Sequence, residues 1–241
     1  MKIEPLTNAQ RFFNAGAVDI HAVTNALDNV VRHLDLNIKV LGESFPEPST
    51  VQERYAAMPN TEWTNGFWTG MLWLAYEYTG KDQYRALAEK NVQSFANRID
   101  QRIAVDHHDL GFLYSPSVVS AYQLTGSQLA KEAGIKAADQ LLTRFNDKGG
   151  FIQAWGKKDA KDENRLIVDA LLNIPLLYWA TRVTGNHQYQ QIADRHYETA
   201  LQTVFRPDGS TFHTYFFNDL GEPVRGATRQ GYSDDSAWAR G

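Results

Sequence analysis

The sequence predicts an all-α protein built from stacked helical hairpins, and three observations carry that expectation. Apolar residues recur at helical spacing over most of the chain, short polar connections separate the helices so outlined, and one type of connection repeats. Thr79-Gly80-Lys81-Asp82-Gln83-Tyr84, Thr125-Gly126-Ser127-Gln128-Leu129 and Thr184-Gly185-Asn186-His187-Gln188-Tyr189 each end one helix and open the next. Glycine suits the left-handed position past a helix C-terminus, and the Asp, Ser or Asn that follows can cap the next N-terminus. The first two copies lie 46 residues apart and the last two 59, the scale of a helical hairpin with a variable loop. Periodicity leaves open whether such hairpins close into a ring or continue as a superhelix.

Taken in order, Val18 to about Leu41 carries Ile20, Val23, Leu27, Val30, Val31 and Leu34 on one face, and Phe45-Pro46-Glu47-Pro48 closes it. A loop over Met58 to Gly66 precedes an aromatic-rich helix over Phe67 to Tyr78, and Asp82 to about Arg102 follows. After a loop at His107 to Phe112 come helices over Pro116 to Leu124 and Gln128 to about Phe145. Gly149 to Trp155 reads as a short extended segment. Helices over about Glu163 to Val183 and His187 to Val204 complete the pattern, with strand-like turns around Thr211 to Phe217.

Composition narrows the function. The 241 residues are 43% hydrophobic and 22% charged, enough for a substantial core and one domain over 1–241. A net charge of −4 gives no basic face for nucleic acid or an anionic membrane, and no run of 18 apolar residues suggests a span. The absence of cysteine removes disulfides, thiol chemistry and zinc-thiolate sites, and a start without an apolar signal core makes the cytoplasm the expected location. Six tryptophans exceed what a core requires, and indole faces exposed in a cleft form platforms for sugar rings.

Two aspartates stand out. Asp169 is the only acid in the apolar run Leu166 to Ala180, where an ionised carboxylate must be paired, line a wet cavity or keep its proton. Arg165, Asp169 and Asn173, spaced i, i+4, i+8, are expected to form a polar seam along one helix, with an Arg165–Asp169 ion pair as the structural alternative. Asp109, in His107-His108-Asp109-Leu110-Gly111-Phe112, is the expected partner across a pocket; read structurally, it is a turn residue. Two carboxylates brought together raise the pKa of one, yielding a proton donor beside an ionised companion. Adjacent histidines seldom converge on one ion, so no metal is expected. Arg240, in the dense polar and aromatic run Arg229 to Gly241, suits two-pronged binding of a carboxylate.

Four stretches resemble a known family: Asn60 to Gly70, His108 to Tyr114, Arg165 to Asp169 and Gln230 to Gly241. From about residue 18 onward the chain is similar to the unsaturated glucuronyl hydrolases, glycoside hydrolase family 88. The resemblance implies an α/α-toroid of six hairpins without a cofactor. It also implies a substrate: lyase-generated oligosaccharides of chondroitin or hyaluronan type with a 4,5-unsaturated uronic acid at the non-reducing end. It gives Asp169 the role of proton donor to the double bond and Asp109 that of ionised partner. Trp63 and Trp155 become stacking platforms, and His108, His213, Gln230, Trp238 and Arg240 substrate contacts. Arg229 falls where some members carry a basic residue for sulfate, which implies a preference for sulfated disaccharides. Members are longer, so the chain is expected to hold roughly four hairpins and the start of a fifth. The alternatives are a pectin-directed unsaturated rhamnogalacturonyl hydrolase and a non-catalytic helical scaffold.

Overall fold

The computed structural model describes residues 8–13, 16, 18–158, 160, 163–228 and 234. Helix α1 (Ala9–Phe13) and the long α2 (Ile20–Leu41) lead into a hairpin of strands β1 (Phe45–Val51) and β2 (Arg54–Met58). Three helical hairpins follow. The first is α3 (Asn65–Thr79) with α4 (Asp82–Asp100). The second joins the segment α5 (Leu110–Tyr114), a π-helical turn over Ser115–Val119 and α6 (Ser120–Thr125) to α7 (Gln128–Leu142). The third is α8 (Pro175–Thr184) with α9 (Gln188–Thr203). Between the second and third run β3 (Phe145–Asn146), β4 (Phe151–Ile152), β5 (Arg165–Ile167) and a 3-10 turn over Val168–Leu172, while β6 (Thr214–Phe217) and β7 (Pro223–Ala227) come last. Helices α3, α5 and α8 pack in one layer, and α4, α7 and α9 in a second.

The repeated connection acts as its residues require. Gly80, Gly126 and Gly185 take φ of 68°, 71° and 75°, the left-handed region, and their N–H groups donate to Tyr76, Tyr122 and Thr181 carbonyls. The preceding threonines each donate to the carbonyl four residues back at 2.7 Å and accept the backbone N–H two residues on. Ser127 caps α7 through Ala130 N–H and Asn186 accepts from Gln188 N–H, whereas Asp82 lies in the first turn of α4 without capping it. Tyr84 and Tyr189, which close two of the repeats, donate their hydroxyls to Asp35 and Asp139 on the preceding outer helix.

The core between the layers is aromatic and aliphatic: Trp68, Leu72, Trp73, Tyr84, Phe95, Leu113, Tyr114, Leu141 and Leu177 are all buried. A smaller cluster of Phe151, Leu166, Val204 and Phe217 supports the sheet β5-β6-β7, with Phe151 and Phe217 stacked at 4.1 Å.

Three expectations need correction. The prolines after α2 do not merely end a helix. A two-stranded sheet has only edges, which tolerate missing donors, so Pro46 and Pro48 enter β1, with a register shift between Pro46 and Thr50. The second hairpin starts at Leu110 rather than at Pro116; the missing proline N–H falls in the π turn, where Ser117 Oγ donates to Leu113 O. The helix expected over 163–183 begins only at Pro175. Upstream, Arg165, Leu166 and Ile167 pair with Phe216, Tyr215 and Thr214. The edge of β6 and the β-branched pair Ile167-Val168 outweigh helical spacing there, and proline opens α8 at the position where its absent N–H costs nothing.

What brings the second and third hairpins together is a contact without room for a side chain. A Cβ on Gly111 would lie 2.2 Å from Asn173 Cα. At the same point Asn173 Oδ1 accepts the Phe112 N–H at 2.8 Å, satisfying a donor of the first turn of α5. Asn173 Nδ2 also donates to Asp169 O at 3.3 Å. Gly111→Ala is therefore expected to destabilise the fold by about 1–3 kcal/mol through overpacking. Chemical denaturation of parent and variant measures this, and equal stability would show that the α5–Asn173 approach is not tight.

Candidate active site

Asp109 is the last residue before α5, and Asp169 the second residue of the 3-10 turn that follows β5. The Gly111–Asn173 contact holds these two chain segments against each other. His108 lies between the carboxylates: its Nε2 is 3.2 Å from Asp109 Oδ1 and 3.7 Å from Asp169 Oδ1. Ligating atoms of the three side chains all fall within 4.8 Å of one another. The expected juxtaposition of the two aspartates is present, although Arg165, Asp169 and Asn173 do not share a helix face. Arg165 pairs with Glu163 at 2.7 Å, which leaves Asp169 without that structural counterion.

The two carboxyls have opposite electrostatic surroundings. Asp109 is buried, which by itself pushes its pKa up, but His108, His107 and a hydrogen bond to the Trp155 side chain outweigh burial and hold it below the ordinary carboxylate value. His107 Nδ1 is 3.3 Å from Asp109 Oδ2, and its Nε2 donates to Ala104 O at 2.9 Å. Asp169 is supported only by backbone hydrogen bonds from its own N–H and that of Ala170, which lower its pKa less than its surroundings raise it. Desolvation and the charge of Asp109 raise its pKa to about 7, and its Oδ1 is buried without a hydrogen-bond partner. The rest of the Asp169 side chain remains 39% exposed, so solvent or a ligand reaches the acid from one side. Near neutral pH the pair is thus one proton donor beside one anion. Burial pushes His108 down to about 4, so the imidazole between them is neutral.

This is also the one cluster of three potential metal ligands among the described residues. A carboxyl that retains its proton near neutrality is a poor ligand, because metal binding must first remove that proton. The arrangement is suited to proton transfer.

Beside Asp109 opens a cleft of about 310 Å³ lined by Thr61, Glu62, Trp63, His107, Asp109 and Trp155, among others; Asp169 is not among its lining residues. Trp63 packs against Phe67 and Phe112, and Trp155 is 44% exposed. Both indoles therefore border the cleft, as a pair of sugar platforms requires. His213 is buried beside the Asp169 turn: its carbonyl accepts the Val168 N–H at 2.9 Å, and its Nδ1 lies 2.9 Å from Thr214 Oγ1. Arg229, Gln230, Trp238 and Arg240 lie outside the described residues. A larger cavity of about 410 Å³, around Asn146, Asp147, Lys148 and Asp219, shares no lining residue with the cleft. Sequence reading did not single out Arg98, Arg144 or Gln153, all buried beneath these loops. An arginine at the end of a helix, or a glutamine after a short strand, carries no local mark that distinguishes it from a surface position.

The family model described as Glycosyl Hydrolase Family 88 matches residues 38–241. The chain belongs to glycosyl hydrolase family 88. It is 50% identical over 242 residues to an unsaturated chondroitin disaccharide hydrolase of Streptococcus agalactiae serotype III (strain NEM316), covering 100% of this chain and 61% of that protein. A crystal structure of unsaturated glucuronyl hydrolase from Streptococcus agalactiae superposes with a TM-score of 0.94 at 50% identity, covering 99% of this chain and 62% of that one. A mutant of the Streptococcus agalactiae enzyme, solved in complex with dGlcA-GalNAc6S, matches at 45% identity and a TM-score of 0.81 over 99% of this chain and 59% of that one. The chain thus spans about three-fifths of the length of these family-88 relatives.

The raised Asp169 acid has a consequence for stability. Its folded pKa, about 7, lies above the ordinary value of 3.8, so its favourable contribution is full below about 4 and is lost as pH rises to about 7. Asp169→Asn removes that titration. The variant is expected to gain stability relative to the parent steadily between those limits and to level off above them. Denaturation midpoints of the two proteins from pH 4 to 8 test this; a constant difference would show that Asp169 is an ordinary exposed carboxylate.

Proposed function

We propose that the protein is a hydrolase that removes the 4,5-unsaturated uronic acid from the non-reducing end of lyase-generated glycosaminoglycan oligosaccharides of chondroitin or hyaluronan type. The observation that carries this reading is the acid at Asp169, poised near neutral pH beside an ionised Asp109 at the edge of a tryptophan-lined cleft. The substrate class is supported by likeness to the Streptococcus agalactiae enzyme that binds dGlcA-GalNAc6S. Arg229, Gln230, Trp238 and Arg240 are proposed as further contacts to the substrate, Arg229 toward a sulfate.

An enol ether needs its proton on carbon. Asp169 delivers it to C4 of the double bond, and positive charge develops at C5, where the Asp109 carboxylate stabilises it. Water adds its oxygen to C5 and returns a proton to the Asp169 carboxylate. The resulting hemiketal opens and releases the shortened sugar. Neutral His108 separates the carboxyls without supplying the cation that would quench the proton donor.

Chain geometry also favours the toroid. Phe67, Met71, Leu74 and Tyr78 form one exposed apolar stripe along α3, and Ile20, Val23, Leu27 and Val30 another along α2. Relatives continue beyond the span matched here, and further hairpins closing on these stripes would complete an α/α-toroid of which 1–241 is one part. No helix among the described residues is long and apolar enough to cross a membrane, and the cysteine-free composition suits the cytoplasm as the place of action.

The test is steady-state turnover by the complete enzyme, followed as loss of the ultraviolet absorbance of the conjugated uronate. Asp169→Asn is expected to lower kcat by about 10²–10⁴-fold, the usual contribution of a positioned general acid. The parent's activity should fall as pH rises through about 7 and persist on the acid side to below the ordinary carboxylate range. In Asp109→Asn the alkaline limb of any residual activity should move to lower pH, since the charge that raises Asp169 is gone. Undiminished turnover by Asp169→Asn would overturn the assignment.

A further inference from the structure

Two arginines are almost wholly buried under the loops that form the cleft, and both fall nineteen residues after a repeated threonine, Arg98 after Thr79 and Arg144 after Thr125. Arg144 follows the end of α7. Its Nε donates to Gln153 O at 3.1 Å, and one terminal nitrogen donates to Asp106 O at 3.3 Å, Asp106 Oδ1 at 2.8 Å and Gly156 O at 3.0 Å. Asp106 stands three residues before Asp109, and Gln153 and Gly156 bracket Trp155. The same two loops are joined by His108 N–H donating to Ala154 O at 3.0 Å.

Arg98, in the last turn of α4, does the equivalent one repeat earlier. Its Nε donates to Ile103 O at 3.1 Å, and its terminal nitrogens donate to Asn60 Oδ1, Glu62 O, Thr61 O and Ala104 O at 2.8–3.2 Å. It thereby binds the loop before Trp63 to the segment before His107. That segment needs fixing: Arg102 and Ala104 have φ of 53° and 46°, a left-handed conformation that non-glycine residues adopt only under constraint.

A buried guanidinium is costly, and the cost is offset only where its donors are satisfied: Arg98 uses all three nitrogens, whereas Arg144 uses Nε and one terminal nitrogen and leaves the other buried without a partner. A single lysine ammonium has three donors on one point and cannot reproduce a planar fork spread across two loops. Loop carbonyls are the acceptors in seven of these nine bonds, so the arginines chiefly hold backbone, with Arg144 also pairing with the Asp106 carboxylate at 2.8 Å.

We propose that Arg144 and Arg98 are repeat-encoded positioning residues for the catalytic cleft. Arg144 sets the Asp109 loop against the Trp155 loop, and Arg98 sets the Trp63 loop against the segment leading to the acids. Their effect on catalysis rests on the hydrolase reading above; their effect on the loops does not.

The experiment compares Arg144→Lys and Arg98→Lys with the parent in the complete enzyme, by hydrogen exchange and by steady-state kinetics on an unsaturated chondroitin disaccharide. Faster amide exchange is expected in 104–109 and 153–157 for Arg144→Lys, and in 60–64 and 102–106 for Arg98→Lys, with α3, α7 and α8 protected as in the parent. Kinetically, Arg144→Lys should lower kcat and raise KM, together by about tenfold or more in kcat/KM, because a reacting group and a platform both shift. Arg98→Lys should act mainly on KM, since the platform Trp63 is the nearer dependent. Exchange that rises uniformly across the fold, or is unchanged in these segments, overturns the proposal. So do local exchange changes with unaltered kcat and KM. A parent inactive on the disaccharide sinks the hydrolase reading alone, and the exchange pattern then still decides whether these residues set the loops.

Discussion

The molecule depends on keeping two like-charged groups closer than water would tolerate. Asp109 and Asp169 come from chain segments that lead into different hairpins, and nothing in their mutual electrostatics favours the approach. The approach is enforced by backbone contact at Gly111 and Asn173, reinforced by the amide of Asn173, which accepts from α5 and donates within the turn that precedes α8. Hydrophobic packing of the paired layers then makes the arrangement rigid, because α5 and α8 cannot separate without opening the buried aromatic and leucine core. The repulsion is relieved chemically, by a proton on the less supported acid. Function and strain are here the same feature.

Support for the site is layered. Below the acids are buried polar groups whose bonds run mainly to loop carbonyls: Arg98, Arg144 and Gln153 each satisfy irregular backbone that no helix or sheet provides for. Gln153 Nε2 donates to both Trp155 O and Lys157 O, so the exposed indole stands on a fixed base. The cleft beside Asp109 is edged by Trp63 and Trp155, and one oxygen of Asp169 is buried without a hydrogen-bond partner. Such a site asks little of loop flexibility. Preorganised donors and charges cost no rearrangement at the moment of proton transfer.

Much of this was legible in the letters alone, for physical reasons that differ from residue to residue. The Thr-Gly connections are decided locally, since a left-handed cap involves only neighbours in sequence; the glycine caps formed as read at all three, and of the capping residues Ser127 and Asn186 did while Asp82 did not. Asp169 stood out because a carboxylate among leucines has few structural uses; in the structure its side chain is 39% exposed, with one oxygen buried and its pKa raised. Its secondary structure did not follow. Helical spacing over 165–173 was genuine, yet the residues form a strand and a 3-10 turn because β6, more than forty residues downstream, supplies an edge to pair with. The hairpin over 45–58 was hidden in the same way, by prolines that a two-stranded sheet can place on an edge.

The sequence by itself determined the helical hairpins, their joints and the identity of the two acids, because amphipathic spacing, capping and the cost of a submerged charge are properties of short stretches. Only the tertiary structure decided that His108 stands neutral between them, and that Arg98 and Arg144 fasten the loops around Trp63, Asp109 and Trp155. Those outcomes depend on distances between residues far apart in the chain, and Coulomb and desolvation energies have no value until folding sets the separations.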